Sequence, residues 1–277
     1  MKNRFSHLTL KASVLSFSLL FLAYPAQSQE SSASLIEEII VTSQRTEESL
    51  QDVPIAVTAL TSSMLEDMQI EGGSDLQLVT PSLSFQGSDA TGGSFNIRGI
   101  TNLAVSPTAE SGVEIHVNDM PVGSTTMQDG DFLDMERIEI LRGPQGTLYG
   151  KNSVGGVINL ITAKPQFGDV FGNIRVEKGS YDLVKTKMMF NMPFGDSFAM
   201  RIAAASNDRD GDIKNIYSKA KTSHVNGRNS DAYRISLAWD ASDQTDVLFV
   251  HESYNENSTR HYVNNVYCQR DPSFVSG

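Results

Sequence analysis

The sequence predicts two structural regimes in one chain: an α+β unit over residues 46–166, then the long antiparallel strands of a transmembrane β-barrel over residues 167–277. Three observations carry this reading. Before Pro165 the apolar residues come in short runs broken by glycine, serine and aspartate and mixed with two helix starts. After Pro165 they alternate with polar residues over about ten positions at a time, the period and length of membrane-crossing strands. The N-terminus reads as an export signal, which delivers a chain to the compartment where such barrels occur.

The 277 residues hold 22 Lys and Arg against 33 Asp and Glu, a net charge of −11, with 39% hydrophobic residues. This is the balance of a folded chain, and it gives phosphate backbones nothing to bind, so nucleic acid is not a partner. One cysteine, Cys268, and five histidines without Cys-X-X-Cys or His-X-X-X-His spacing exclude a zinc scaffold or a disulfide framework. No metal site and no cofactor is expected.

Lys2, Arg4 and Lys11 precede an apolar stretch from Ala12 to Tyr24, too short for the ~20 residues of a spanning helix. Ala26 and Ser28 then supply the small residues of a cleavage site before Gln29, so residues 1–28 are read as a removed leader. Residues 29–45 form a polar leash around a compact apolar patch, Ile39, Ile40 and Val41, expected to be an accessible extended segment. Val53 to Thr58 alternates like a strand. Ser63 to Glu66 reads as a capping box opening a helix stopped at Gly72-Gly73, and a second helix is expected from Ser74 toward Val79. Short strands are expected at 83–85, 95–98, 113–118, 135–141 and 157–162.

Beyond Pro165, five strands are expected at 170–178, 182–192, 198–207, 231–240 and 246–254. In the second, Val184, Thr186, Met188, Phe190 and Met192 share one face while Lys185, Lys187 and Asn191 share the other. In the third, Phe198, Met200, Ile202 and Ala204 oppose Arg201 and Asn207. In the fourth, Tyr233, Ile235, Leu237 and Trp239 oppose Arg234 and Ser236. Tight turns at 193–197 and 241–245 and a long polar loop at 207–229 suit a barrel with short periplasmic turns and long exterior loops. A soluble β-sandwich alternates identically, so alternation by itself leaves the two equal.

The motif that separates them runs from Met135 to Asn159, Met-Glu-Arg-Ile-Glu-Ile-Leu-Arg-Gly-Pro-Gln-Gly-Thr-Leu-Tyr-Gly-Lys-Asn-Ser-Val-Gly-Gly-Val-Ile-Asn. With Asn96-Ile-Arg-Gly99 and Ser49-Leu-Gln-Asp-Val-Pro-Ile-Ala-Val-Thr58 upstream, it resembles the plug domain of TonB-dependent outer-membrane receptors. Glu38-Ile-Ile-Val-Thr-Ser43 is similar to the TonB box of that family. One departure is visible at His116-Val-Asn-Asp-Met-Pro121, where Asn118 and Met120 stand in place of a Val-Asp-Gly-type turn.

Gly99, Gly143, Gly146, Gly150, Gly155 and Gly156, with Pro144, suit close backbone approaches in a domain that fills a pore. Gly146 to Lys151 is not a phosphate loop, because its glycine spacing is one short and Asn152 occupies the magnesium-ligand position. His251-Glu252 lacks a second histidine, and Ser111 and Ser153 lack a nucleophile elbow, so no enzyme is expected.

The resemblance implies a receptor of the outer membrane, in contact with its lipid, that takes up a scarce solute such as a ferric siderophore. It implies that Ile39, Ile40, Val41, Thr42 and Ser43 contact TonB, working with ExbB and ExbD, through strand addition. It implies that Arg98 and Arg142 pair with barrel-wall glutamates; pairing inside the plug with Glu136 or Glu139 is the open alternative. Asp129, Asp131, Asp134, Glu136 and Glu139 are expected to form a solvated acidic face. Ser88, Asp89, Thr101, Asn102 and Gln128, on loops 87–95, 101–112 and 119–131, are candidates to face the ligand. Plugged transporters of this kind have about 22 strands, so the chain is expected to be the N-terminal portion of a receptor, with Cys268 awaiting a partner further on. Two other classes remain open, a periplasmic plug-like signalling or binding module, and a hydrolase using His116 and Asp119.

Overall fold

The computed structural model describes residues 39–88, 92–101, 111–122, 130–216, 223–242 and 244–259. The expected leader, the leash up to residue 38 and Cys268 lie outside them.

A short antiparallel pair opens the described chain, β1 (Ile40–Val41) with β2 (Glu48–Ser49). The next strand, β3 (Val57–Thr61), begins four residues later than the alternation from Val53 suggests. Pro54 has no N–H to give a ladder, and the burial of Ala59 and Leu60 fixes the register from Val57↔Leu141 to Thr61↔Arg137. That shift moves the following cap. α1 (Ser62–Asp67) is capped by Thr61, whose extended backbone ends the strand and whose Oγ1 accepts from Met64 N at 3.4 Å; Ser63 Oγ lies against Thr61 Oγ1 instead. The helix also stops before Gly72, as Gln69 turns left-handed at φ 54°.

Asp75 Oδ2 accepts from Glu71 N (2.9 Å) and Gly72 N (3.0 Å), opening a short 3-10 turn and then α2 (Leu76–Val79). A hairpin follows, β4 (Leu83–Ser88) with β5 (Gly92–Ile97), longer than its apolar residues alone indicate. β6 (Val113–Val117), β7 (Met120–Pro121), β8 (Met135–Arg142), α3 (Gly146–Tyr149) and β9 (Gly156–Thr162) complete the α+β unit. Its central sheet has the order β3-β8-β9-β6-β7, with β6 and β9 parallel and the other neighbours antiparallel. The departure at residues 118–119 resolves here. Asn118 (φ 47°) and Asp119 (φ 66°) both adopt the left-handed backbone of a tight two-residue hairpin, and the Asn118 side chain bonds Thr162 N and Oγ1 on β9.

The two faces of this sheet differ. Ile115, Ile138, Ile140 and Ile158 point into the main core with Leu60, Leu65, Leu76, Phe95 and Ile97. The alternate positions Glu139, Asn159 and His116 lie side by side on three adjacent strands, in the register Glu139↔Asn159 and Asn159↔His116, and all three are buried. A buried polar row is costly unless partnered; its partners are described below.

β10 (Phe171–Lys178), β11 (Val184–Phe194) and β12 (Phe198–Arg209) form the start of the second sheet. A small hairpin of β13 (Ile213–Lys214) and β14 (His224–Val225), which the sequence left within the long loop, precedes β15 (Arg228–Ser242) and β16 (Thr245–Glu256). The order is β10-β11-β12-β15-β16, antiparallel throughout, and the sheet is open at β10 and β16. The polarity is inverted as expected of a barrel wall. Lys185, Asn191, Arg201, Asn207, Arg234 and Ser236 are buried against the α+β unit, while Ile174, Met188, Phe190, Tyr233, Trp239 and Phe249 are exposed on the far side. An apolar band of this kind is the surface that lipid covers. No described helix is long and apolar enough to cross a membrane.

Candidate functional site

The segment expected to be accessible is instead docked. Val41 and Ser43 are buried, whereas Ile40 keeps 43% of its surface exposed. On one edge the segment pairs with β2, in the register Ile40↔Ser49 and Val41↔Glu48, and Leu50 N donates to Ile39 O at 2.9 Å. On the other edge Thr42 N donates to Glu139 Oε1 at 2.8 Å and Thr42 Oγ1 lies 3.3 Å from the same oxygen. Tyr149 OH donates to Ser43 O at 2.9 Å and accepts from Asn159 Nδ2 at 2.9 Å. The polar row of the central sheet therefore receives residues 39–43. Arg137 Nε holds Glu139 Oε1 at 2.9 Å, while its Nη2 donates to Thr42 Oγ1 at 3.1 Å. Arg45 reaches Leu148 O at 3.2 Å and sits over the Tyr149 ring. Burial, then the charge of Glu139, raises the Tyr149 hydroxyl above the ordinary tyrosine range despite the opposing bond from Asn159, so it stays protonated and able to donate.

His116 packs edge-on to Tyr149 at 5.1 Å, and its Nδ1 meets the main-chain oxygen of Asp119 at 3.2 Å. The imidazole thus meets a carbonyl, not the Asp119 carboxylate that the hydrolase reading would require.

The α+β unit and the second sheet meet along a charged seam in which the cations stand on the sheet and the acids on the α+β unit. Arg201 makes a two-pronged pair with Asp134, both bonds 2.7 Å, and Arg228 pairs with Asp131 at 3.3 Å. Lys185 and Lys187 both reach Glu71. Arg234 donates to Leu133 O at 2.7 Å while its Nε holds Glu252 on the next wall strand. Burial pushes the Glu71 carboxyl up, but Lys185 and Lys187 outweigh it and leave it below the usual 4.5. Its contribution to plug docking is therefore present above about pH 4.5 and lost as the pH falls through its lowered value.

Arg98 and Arg142 make no ion pair among the described residues, and Arg142 Nε is buried without a hydrogen-bond partner there. Glu136 and Glu139, the alternative partners, are both taken by Arg137. The solvated acidic face is likewise corrected: Asp131 and Asp134 lie in the seam and Glu139 is fully buried; of the described acids in that group Glu136 is the most exposed, and Asp129 lies outside the described residues. The signal for the seam was present in the sequence as cations at alternate positions on the inner face of each wall strand. Their partners, Glu71, Asp131 and Asp134, sit in loops without periodicity and were not singled out as contacts.

Among the glycines of the motif, Gly156 is the position where a side chain is sterically refused, since a Cβ would lie 2.3 Å from Leu141 O. Gly146 is a correction, because it opens α3 with nothing within 4 Å of a Cβ. Of the ligand-facing candidates, Ser88 ends β4, and Thr101 Oγ1 lies 3.2 Å from both Phe95 O and Ser94 Oγ. Asp89, Asn102 and Gln128 lie outside the described residues.

Residues 49–157 match the family model described as the TonB-dependent Receptor Plug Domain. The metal-pseudopaline receptor CntO of Pseudomonas aeruginosa is 26% identical over 152 residues, 55% of this chain and 20% of that protein. The vitamin B12 transporter BtuB of Photobacterium profundum is 25% identical over 207 residues, 73% of this chain and 33% of that protein. Among solved structures, the ferric yersiniabactin uptake receptor FyuA from Yersinia pestis superposes with a TM-score of 0.64 at 25% identity, covering 72% of this chain and 31% of that one. The chain thus spans a fifth to a third of the length of these relatives.

Proposed function

We propose that the chain, whose residues 49–157 match the plug-domain family model, carries the plug and first wall strands of a TonB-dependent outer-membrane receptor and serves energy-coupled uptake of a scarce solute across the outer membrane. A ferric siderophore is the solute class we favour, since the relatives named above include receptors for metal-pseudopaline and ferric yersiniabactin. Residues 39–43 are the contact for TonB, which acts with ExbB and ExbD. Residues 1–28 are the leader, 29–45 the leash, 46–166 the plug and 167–277 the wall. The loops bearing Ser88, Asp89, Thr101, Asn102 and Gln128 face the solute, and Arg98 and Arg142 meet wall residues outside the described strands. This is transport rather than catalysis.

One observation carries the proposal. Residues 39–43 are held to the plug by a two-residue strand pair and a few side-chain hydrogen bonds, outside the main sheet and the main apolar core. Such a segment can leave without unfolding what it leaves behind. The seam supports it, because ion pairs and hydrogen bonds exchange partners along an interface more readily than a close-packed apolar contact yields.

Ile40→Pro tests the proposal. By the strand alternation Ile40 N–H faces away from β2, so the docked pair survives while a donor for an added strand is removed. Uptake of a labelled ferric siderophore should be lost, and surface binding of the same compound should be unchanged. Normal uptake by Ile40→Pro would exclude this segment as the energy-coupling contact.

A further inference from the structure

Resting on the functional reading above, we infer that Asn191 is a positioning residue for transport: it clamps the linker between plug and wall, so that coupling rearranges the plug inside the lumen and the plug does not leave it as a rigid body. The linker runs from Thr162, the last residue of β9, to Phe171, the first of β10. Within it, the Asn191 carboxamide pairs with main chain alone. Its Oδ1 accepts from Gln166 N at 2.9 Å, and its Nδ2 donates to Gln166 O at 2.9 Å and to Asp169 O at 3.0 Å. Asn191 is fully buried on the inner face of β11, and these bonds satisfy both of its polar atoms. A wall side chain thus takes the place that a neighbouring strand would take for the linker.

The clamp sits between two other ties. Ala163 N donates to Asp134 O at 3.0 Å, which fixes the near end of the linker to the plug. Phe171 stands opposite Asn191 in the ladder and lies under the Arg201 guanidinium, which fixes the far end to the wall. Chain length then decides what can move. With the clamp closed, only the stretch from Ala163 to Gln166 can straighten, a reach of about 10 Å. With it open, the stretch from Ala163 to Phe171 can straighten, a reach of about 28 Å. The apolar band of a barrel of this kind is about 25 Å tall, so the plug's end cannot clear the lumen on the closed linker and can on the open one. The ion pairs of the seam can change partners while the plug moves. Asn191 holds main chain and carries no charge to exchange, so it stays as the fixed point about which the plug rearranges.

The test adds slack on either side of the clamp. About six Gly and Ser residues, ~20 Å of extended chain, are inserted after Lys164 in one variant and after Asp169 in another, both exposed positions. Uptake of a labelled ferric siderophore by the receptor in outer membranes should be lost with the insertion after Lys164, which lengthens the chain between plug and clamp. It should be kept with the insertion after Asp169, which lies beyond the clamp. In an Asn191→Ala background the two insertions should be equally harmful, and surface binding of the siderophore should be unchanged throughout. A residue that served stability alone would not make the effect of an insertion depend on its side of residue 191. Hydrogen exchange at Gln166 reads the clamp without transport, and it should be about tenfold faster in Asn191→Ala, the loss of one buried hydrogen bond. Equal uptake by the two insertion variants with Asn191 in place, or equal exchange at Gln166 in the parent and Asn191→Ala, would overturn the inference. Absence of uptake by the parent, with exchange at Gln166 accelerated in Asn191→Ala, would overturn the functional reading and leave the clamp standing.

Discussion

Arg201→Met is expected to loosen the plug from its wall by about 3–5 kcal/mol, the cost of leaving a buried charge without its partner. Asp134 and Arg201 are 13% and 8% exposed, and both prongs of the pair are 2.7 Å, so little water is at hand to replace either group. Asp134→Asn should cost less than Arg201→Met: it preserves the left-handed backbone at this position (φ 47°) and one acceptor oxygen while removing the charge. The double variant Asp134→Asn/Arg201→Met should be more stable than the sum of the two singles implies, since neither charge is then stranded. Urea titrations of plug release, read by hydrogen exchange in residues 130–162, give the four corners of the cycle. Additive losses would mean the pair does not hold the plug.

The second large effect is expected at Gly156. Its φ of +156° and a Cβ position 2.3 Å from Leu141 O and 2.8 Å from Ile97 Cδ1 leave no room on the strand beside β8. Backbone cannot yield as a flexible side chain does, so Gly156→Ala should cost more than about 4 kcal/mol and prevent the plug from folding. Gly146→Ala lies ten residues away in the same motif, and it should be neutral or slightly stabilising, by up to about 1 kcal/mol, because it starts a helix in open space. Protease resistance of the plug in outer membranes should separate the two clearly. Equal behaviour of both variants would show that the glycines act through composition and not through this packing.

The wall was legible in the sequence because its rule is local. Each wall strand alternates with period two, and the inner and outer faces named from Lys185, Arg201 and Arg234 are the faces observed. The glycine motif was legible for the same reason, as a contiguous run. What the sequence could not supply were partners distant along the chain. Thr42 and Glu139 are 97 residues apart, and Arg201 and Asp134 are 67 apart. An apolar patch on a polar leash reads as free when its acceptor is nearly a hundred residues on. The partners of the seam were hidden for a related reason. Arg98 and Arg142 drew attention as conspicuous charges in recognisable motifs, whereas Glu71 and Asp131 sit in plain loops whose meaning appears only against Lys185 and Arg228. The displaced cap at Thr61 shows the remaining limit: Ser63 to Glu66 is a good local capping signal, but the ladder to β8 ends at Thr61 and decides where the helix begins.

On the proposed function, energy enters at residues 39–43. Single cysteines at 39, 40, 41, 42 and 43, in a Cys268→Ser background, cross-linked in living cells to cysteines on the periplasmic domain of TonB, test it most directly. Cross-links are expected within these five positions, stronger at alternate residues as an added strand requires, and increased when a ferric siderophore is supplied. None is expected at Leu78, which is 77% exposed but lies on the helix α2 and not on an extended segment. Cross-linking at Leu78 equal to that at residues 39–43, or none at the five positions in cells that still take up the siderophore, would contradict it.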